Sequence, residues 1–397
     1  MTRLRYAALL GGILVSFAVA AAPRSAEVSP EISADIRLVR IGDDAWRADY
    51  AFSRPVTSLK MEQVGEFRRS AWTVLTPGAT LGADGGADVV SMEGRPFRQL
   101  SVEIRSYDAV LPKQYIAVDR YTDGGRLFYL GFLGGEVATQ GGSGRLATRV
   151  SLAGRAGETL LAPPARENAP APYAYFGPRQ PAPAGAASAI FDPAIPAWVR
   201  EAMLDATAKV SDYYARTYGR VPRPSLVIMA TLAETSTPGF SMKGGAVGSQ
   251  IAYRLSGDAF LADHPRKRAF IAQLVAHEMA HVWQQQVTRG GIGEEAPWVH
   301  EGGAEAMALD ALLKTQTWSA ADGEAFVARS AKRCAAEGGG VASYDGIYAC
   351  GFGRFQATGV DTAQLWRAMM QLSEDSAAPY SPAMVEQAAA GLRARTP

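Results

Sequence analysis

Residues 277–281 read His277-Glu278-Met279-Ala280-His281, and nineteen residues separate them from Glu301 in Trp298-Val299-His300-Glu301-Gly302-Gly303-Ala304-Glu305-Ala306-Met307. The apolar spacing around the first segment predicts a helix. Asp263 is its candidate N-cap, Pro265 lies near its first turn, and it runs to about Thr288 before Gly290-Gly291. On a helix, positions i and i+4 share a face, so both imidazoles can meet one cation. Glu278 is turned about 100° away, where it reaches a water held by that cation without being a ligand. In a chain of 397 residues with four His, chance placement gives this spacing about 0.002 of the time.

A catalytic zinc site needs a third protein ligand and leaves a position open. The metzincin continuation fails, because Gln284 and Val287 stand where its Gly and His would be. Instead, the two segments together resemble the gluzincins, the thermolysin-like and aminopeptidase N-like zinc peptidases. In these a second helix, here opened by Pro297 and running to about Lys314, supplies a Glu within a W-x-N-E-G-x-A-E or N-E-A-x-x-D context. The resemblance implies one Zn²⁺ per chain, held by His277, His281 and Glu301. Glu305, one turn on, matches a carboxylate that orients a ligating His. His300 replaces the family's Asn and is a second candidate ligand. A solvated helix face is the plain alternative for Glu301 and Glu305, but Trp298, Ala304, Ala306, Met307 and Leu309 argue for packing.

The resemblance extends from about Ala197 to Phe355. Ala197–Tyr218 reads as an amphipathic helix ending at Gly219. Tyr218-Gly219-Arg220-Val221-Pro222-Arg223-Pro224, a buried strand at Ser225–Ala230, a glycine-rich loop at Gly239–Gly248 and a strand at Ser249–Arg254 follow. That order is similar to the aminopeptidase-like families, whose edge strand binds substrate backbone. It implies that Gly244–Tyr253, with Gly244, Gly245 and Ala246 foremost, pairs with extended peptide by strand addition. The family's G-x-M-E-N loop carries a Glu for the substrate's free amine; Lys243-Gly244-Gly245-Ala246-Val247-Gly248 carries no acidic residue. Downstream, Tyr344-Asp345-Gly346-Ile347-Tyr348-Ala349-Cys350-Gly351 resembles the Y-x-K-G segment. Its Tyr donates a hydrogen bond to the tetrahedral oxyanion, a role that matches Tyr348, with Tyr344 as the alternative. Cys350 stands in place of the Lys.

Cys334 and Cys350 are the only cysteines. In an exported chain a disulfide is expected between them, contributing about 3 kcal/mol in the chain-entropy model. Two free thiols or additional metal ligands are the alternatives.

Residues 1–22 carry Arg3 and Arg5, an apolar run and small residues ending in Ala20-Ala21-Ala22, the pattern of a cleaved secretory signal. Its removal shifts the formal charge from +1 to −1, and neither value suits a nucleic-acid partner. No later stretch is apolar enough to span a membrane, so an exported, periplasmic or secreted protein is expected.

From residue 27 to 161 the period is two. Ile32, Ala34, Ile36 and Leu38 alternate with polar residues, as do Trp46, Ala48, Tyr50 and Phe52, then Leu100, Val102 and Ile104. This predicts an antiparallel β-sandwich-like N-terminal domain with no His or Cys and no evident chemistry. Residues 162–196 hold nine prolines and read as an extended linker. Residues 197–397 read as the catalytic domain with a C-terminal helical region. The expected fold is therefore α+β and multidomain, with a thermolysin-like zinc-peptidase unit.

The function implied is an exported zinc metallopeptidase acting on peptide or protein substrates, with a zinc-bound water and Glu278 as general base. Two other readings stay open: a hydrolase of non-peptide amides or epoxides on the same scaffold, and an envelope binding or assembly module with a structural or vestigial zinc. The intact Glu278 argues against the second, since a structural site gains nothing from a base there.

Overall fold

The computed structural model describes residues 32–61, 67–107, 117–162, 172–184, 187–222, 225–287 and 296–395. The signal segment at residues 1–22 lies outside the described residues.

The fold is α+β, with three sheets, a long helix inserted between strands of the third, and further helices after it. The alternating segments become strands with one buried apolar face, made of Ile32, Ala34, Ile36 and Leu38 on Ile32–Arg40 and Trp46, Ala48, Tyr50 and Phe52 on Ala45–Val56. These strands pair antiparallel at the centre of a nine-stranded sheet. Ile32–Arg40 departs from the antiparallel expectation on its other side, where it runs parallel to Gly142–Ala153. A second, antiparallel sheet orders Thr159–Leu161, Tyr173–Gly177, Arg126–Tyr129 and Val118–Arg120.

The third sheet carries the site. Its order is Ala182–Ala184, Ala187–Phe191, Val227–Glu234, Gln250–Ser256 and Ser241–Val247, with parallel pairing across the middle three strands. Parallel strands with both faces covered read as continuous apolar runs, and Val227–Glu234 is buried at its first six positions. Ile228, Ala230, Ile251 and Tyr253 face the helices, while Ile190, Val227, Met229 and Val247 join the core of the β-rich half.

The expected linker is corrected here. Of residues 162–196, Tyr173–Gly177 is a fully buried strand of the second sheet, and Ala182–Ala184 and Ala187–Phe191 belong to the third. The prolines flank these short runs, as Pro172, Pro178, Pro193 and Pro196 do, or occupy the outermost strand, as Pro183 does. Central ladder positions therefore keep their N–H donors.

The glycine-rich loop is also corrected. Ser241–Val247 is the edge strand itself, antiparallel to Gln250–Ser256, and Gly248 makes the turn at φ 59°.

Ala197–Tyr218 is helical as expected and is stopped by left-handed Gly219. The His277 helix spans Pro265–Val287 and the Glu301 helix Pro297–Lys314. Asp263 does not cap the His277 helix. It pairs with Arg268, and His264 Nδ1 instead accepts from the Arg266 N–H at 3.1 Å. Four further helices follow, at Ala320–Ala336, Tyr344–Ala357, Thr362–Ser376 and Pro382–Arg393.

Candidate metal centre

The His277 helix lies along the helix-facing side of the third sheet, backed by Ala197–Tyr218. Tyr214 donates to the Ala276 carbonyl at 3.3 Å, and its ring lies 5.3 Å from that of Trp283. Trp283 Nε1 donates to the Arg220 carbonyl at 3.1 Å, fixing the helix near its C-terminal end. With the apolar side of the helix held in this way, His277, Glu278 and His281 stay in place though each is less than 10% exposed.

The Glu301 helix crosses beside it and completes the cluster. His277 Nε2 and His281 Nε2 are 3.0 Å apart, and each lies 3.2 Å from Glu301 Oε2. Zinc bonds of about 2.0–2.1 Å set tetrahedral donor separations of about 3.3 Å, so this triangle fits a zinc ion closely. Among the described residues these three form the group able to hold a metal. His300 is not part of it; its ring lies 3.9 Å from that of His281, and burial with the neighbouring His281 charge keeps it neutral.

Electrostatics favour a cation at the same point. Burial works against a charged His277, yet its hydrogen bond to Glu301 and the charges of Glu305, Glu301 and Glu278 raise its pKa to about 9. Burial would also raise Glu301, but His281 and His277 hold its carboxylate well below the ordinary range. The protein thus surrounds the donors with a negative potential that a divalent ion would satisfy.

Each imidazole faces a polar side chain on its far side, at hydrogen-bond distance for His281 and beyond it for His277, whose Nδ1 makes no hydrogen bond. Glu305 Oε1 lies 3.6 Å from His277 Nδ1, and Gln273 Nε2 donates to Glu305 Oε2 at 3.3 Å. His281 Nδ1 lies 2.9 Å from Gln284 Oε1. Sequence reasoning weighed Gln284 only as a missing metzincin glycine. The legible signal was its i+3 spacing from His281, which puts the two on one helix face.

Glu278 is buried beside the donors and points at the edge strand. A β-carbon on Gly244 would sit 2.6 Å from Glu278 Cγ and Oε1, so glycine is what lets the carboxylate fit. Burial raises the pKa of Glu278 against the pull of His281 and His277. Gly245 points to the opposite face, opposite Ala252. Ala246 is buried, and its carbonyl accepts from Gln285 Nε2 at 3.4 Å.

Tyr348 reaches the centre from the Tyr344–Ala357 helix, its ring stacked 5.7 Å from His277. Burial and the Glu301 charge hold its phenol protonated, far above the ordinary value, so it can donate. Tyr344 lies further out, its ring 5.0 Å from that of Tyr348 and its side chain largely exposed. Two features place this helix. Gly302 and Gly351 touch backbone to backbone, a β-carbon on Gly302 falling 2.3 Å from the Gly351 carbonyl carbon. Cys334 and Cys350 form the expected disulfide, tying it to Ala320–Ala336.

No family model matches the sequence, and no curated protein matches it. Solved structures do. A mutant M1 zinc metallopeptidase from Deinococcus radiodurans bound to a Tyr-Ser-Ala substrate is similar over 91% of this chain and 92% of its own, at 14% identity and a TM-score of 0.52. An aminopeptidase N family protein from Idiomarina loihiensis is similar over 91% of this chain and 70% of its own, at 11% identity and a TM-score of 0.56. Native yeast LTA4 hydrolase is similar over 91% of this chain and 65% of its own, at 9% identity and a TM-score of 0.51. This chain shares the fold of these M1 zinc metallopeptidase and aminopeptidase N family structures.

Proposed function

We propose that the chain is an exported zinc metallopeptidase in which His277, His281 and Glu301 hold the ion and Glu278 is the general base. The observation that carries this is the triangle of donor atoms 3.0–3.2 Å apart with a buried carboxylate beside it, against the Ser241–Val247 edge strand. Zinc bound there would supply Lewis-acid polarisation of a water and of the scissile carbonyl. Glu278 takes the water's proton and returns it to the leaving amine. Its pKa, raised by burial, suits a group that must both accept and give. Tyr348 donates to the developing oxyanion. Gly244 and its neighbours on the Ser241–Val247 edge align an extended peptide by strand addition.

The edge sequence Gly244-Gly245-Ala246-Val247-Gly248 contributes no carboxylate for a free α-amine, so cleavage need not begin at a substrate's N-terminus. Supporting a peptide substrate is the Deinococcus radiodurans neighbour, which was solved with Tyr-Ser-Ala bound. The test is a peptide library, blocked and free at the N-terminus, incubated with the zinc-loaded chain and read by mass spectrometry. Cleavage by the parent and none by Glu278→Gln supports the reading. Inertness toward every peptide sinks it in favour of a non-peptide substrate.

A further inference from the structure

Gln284 is fully buried and joins the two helices that carry the donors. Its Oε1 is 2.9 Å from His281 Nδ1, and its Nε2 is 3.1 Å from the backbone carbonyl of His300, the residue before Glu301. A carboxamide can be turned over in place, exchanging acceptor and donor. Here the turn is blocked. The His300 carbonyl can only accept, so the amide NH₂ must face it and the amide oxygen must face His281.

That oxygen can only accept in turn, which makes His281 Nδ1 the protonated nitrogen and leaves the lone pair on Nε2. Nε2 is the atom that meets His277 and Glu301. The orientation of one side chain is thereby dictated by a main-chain carbonyl on the other helix. A ligating His holds its tautomer through the hydrogen bond on its far nitrogen, and losing that partner weakens metal binding 10–100-fold as a rule of thumb.

We propose that Gln284 is the positioning residue of this centre. It locks His281 in the metal-binding tautomer and ties that lock to the start of the Glu301 helix, so that the second and third ligands are set together. The proposal rests on the metal site assigned above. It gives Gln284 a role that the sequence pattern gives to nothing: His300 stands one residue before Glu301, and its ring packs on His281 without reaching the donor triangle. His300 Nδ1 is buried with no hydrogen-bond partner, so His300 contributes its backbone carbonyl to the relay and not its ring.

The experiment compares the full chain with Gln284→Leu, which keeps bulk and removes the acceptor, and Gln284→Glu, which restores an acceptor to His281. Zinc affinity is measured by chelator competition. The His281 Nδ1–H proton is followed in the zinc-loaded chain by ¹H–¹⁵N NMR, which is tractable with four His. Gln284→Leu should bind zinc roughly 10–100-fold more weakly. Its Nδ1–H should exchange rapidly with solvent. Gln284→Glu restores the acceptor for His281 but no donor for the His300 carbonyl, so it should recover the slow-exchanging proton and only part of the affinity.

Unchanged affinity and proton protection in Gln284→Leu overturn the proposal while leaving the metal site standing. If Gln284→Leu does not fold, Gln284→Glu decides through the proton alone: a rapidly exchanging His281 Nδ1–H overturns the proposal and a slow-exchanging one supports it. His281→Ala guards the underlying assignment. Full zinc occupancy there means the metal site itself is wrong, a failure distinct from that of Gln284.

Discussion

Gly244 and Glu278 compete for one volume: any β-carbon at 244 would fall 2.6 Å from the glutamate's Cγ and Oε1. The edge strand meets the proposed base with nothing in between. Gly244→Ala should therefore push the Glu278 carboxylate off its position while leaving the three donors untouched. A displacement of about 1 Å can cost about 100-fold in rate. We expect kcat/KM to fall at least about tenfold at unchanged zinc content, and unaltered turnover would remove Gly244 from the site.

Glu278→Gln keeps shape and removes the proton acceptor. Hydrolysis should drop by about 100- to 10,000-fold with full zinc stoichiometry by metal analysis. Loss of the metal along with activity would instead make Glu278 a structural member of the cluster.

Tyr348 and Tyr344 are separated by their reach. Tyr348→Phe should lower kcat by about 100- to 1,000-fold with little change in KM, as loss of an oxyanion donor does. Tyr344→Phe, from a largely exposed position, should stay within a few-fold. Equal kinetics for the two variants would reassign the donor.

Gly302→Ala tests how the Tyr348 helix is held. A methyl group there meets the Gly351 backbone at 2.3 Å, a place with no side chain to yield. Overpacking of this kind costs about 1–3 kcal/mol, to be read as a lower urea midpoint. A midpoint equal to the parent's would mean that the helices separate freely.

Replacing both Cys334 and Cys350 with Ser opens a loop of sequence separation 16. Stability should fall by about 3 kcal/mol, and the same loss should appear in the parent under reductant. No difference between oxidised and reduced protein would show that Gly302–Gly351 packing suffices to hold the helix.

Glu301, on the next helix, was reached only through the family resemblance, whereas the shared face of His277 and His281 was legible because helix geometry turns a separation of four residues directly into one side of a helix. The same holds for the strands at Ile32–Arg40 and Ala45–Val56, where alternation maps onto one buried side. What was not legible depends on long-range pairing. Tyr173–Gly177 looked like connector because the surrounding prolines dominate its composition. Its burial comes from Arg126–Tyr129, more than forty residues earlier, and no local pattern announces that partner. Gly239–Gly248 looked like loop for a related reason: a glycine-rich edge strand has few side chains to display a period of two, and here the reason for glycine is the carboxylate on a neighbouring helix. Gln284 was on the page as a letter, but its meaning required the His300 carbonyl, which only the crossing of two helices supplies.

The two-faced third sheet bears on what a protein engineer could cut away. Its strand Ala187–Phe191 comes from the proline-rich stretch, and its rear apolar side chains, Val227 and Met229 among them, lie in the core of the β-rich half. Thr231 Oγ1 also donates to buried Asp119 of that half at 2.5 Å. A fragment beginning at residue 197 would lose a central strand and expose a greasy, strand-edged surface, the combination that drives self-association. The segment that looks most like a hinge in the sequence is thus the seam along which the chain cannot be divided.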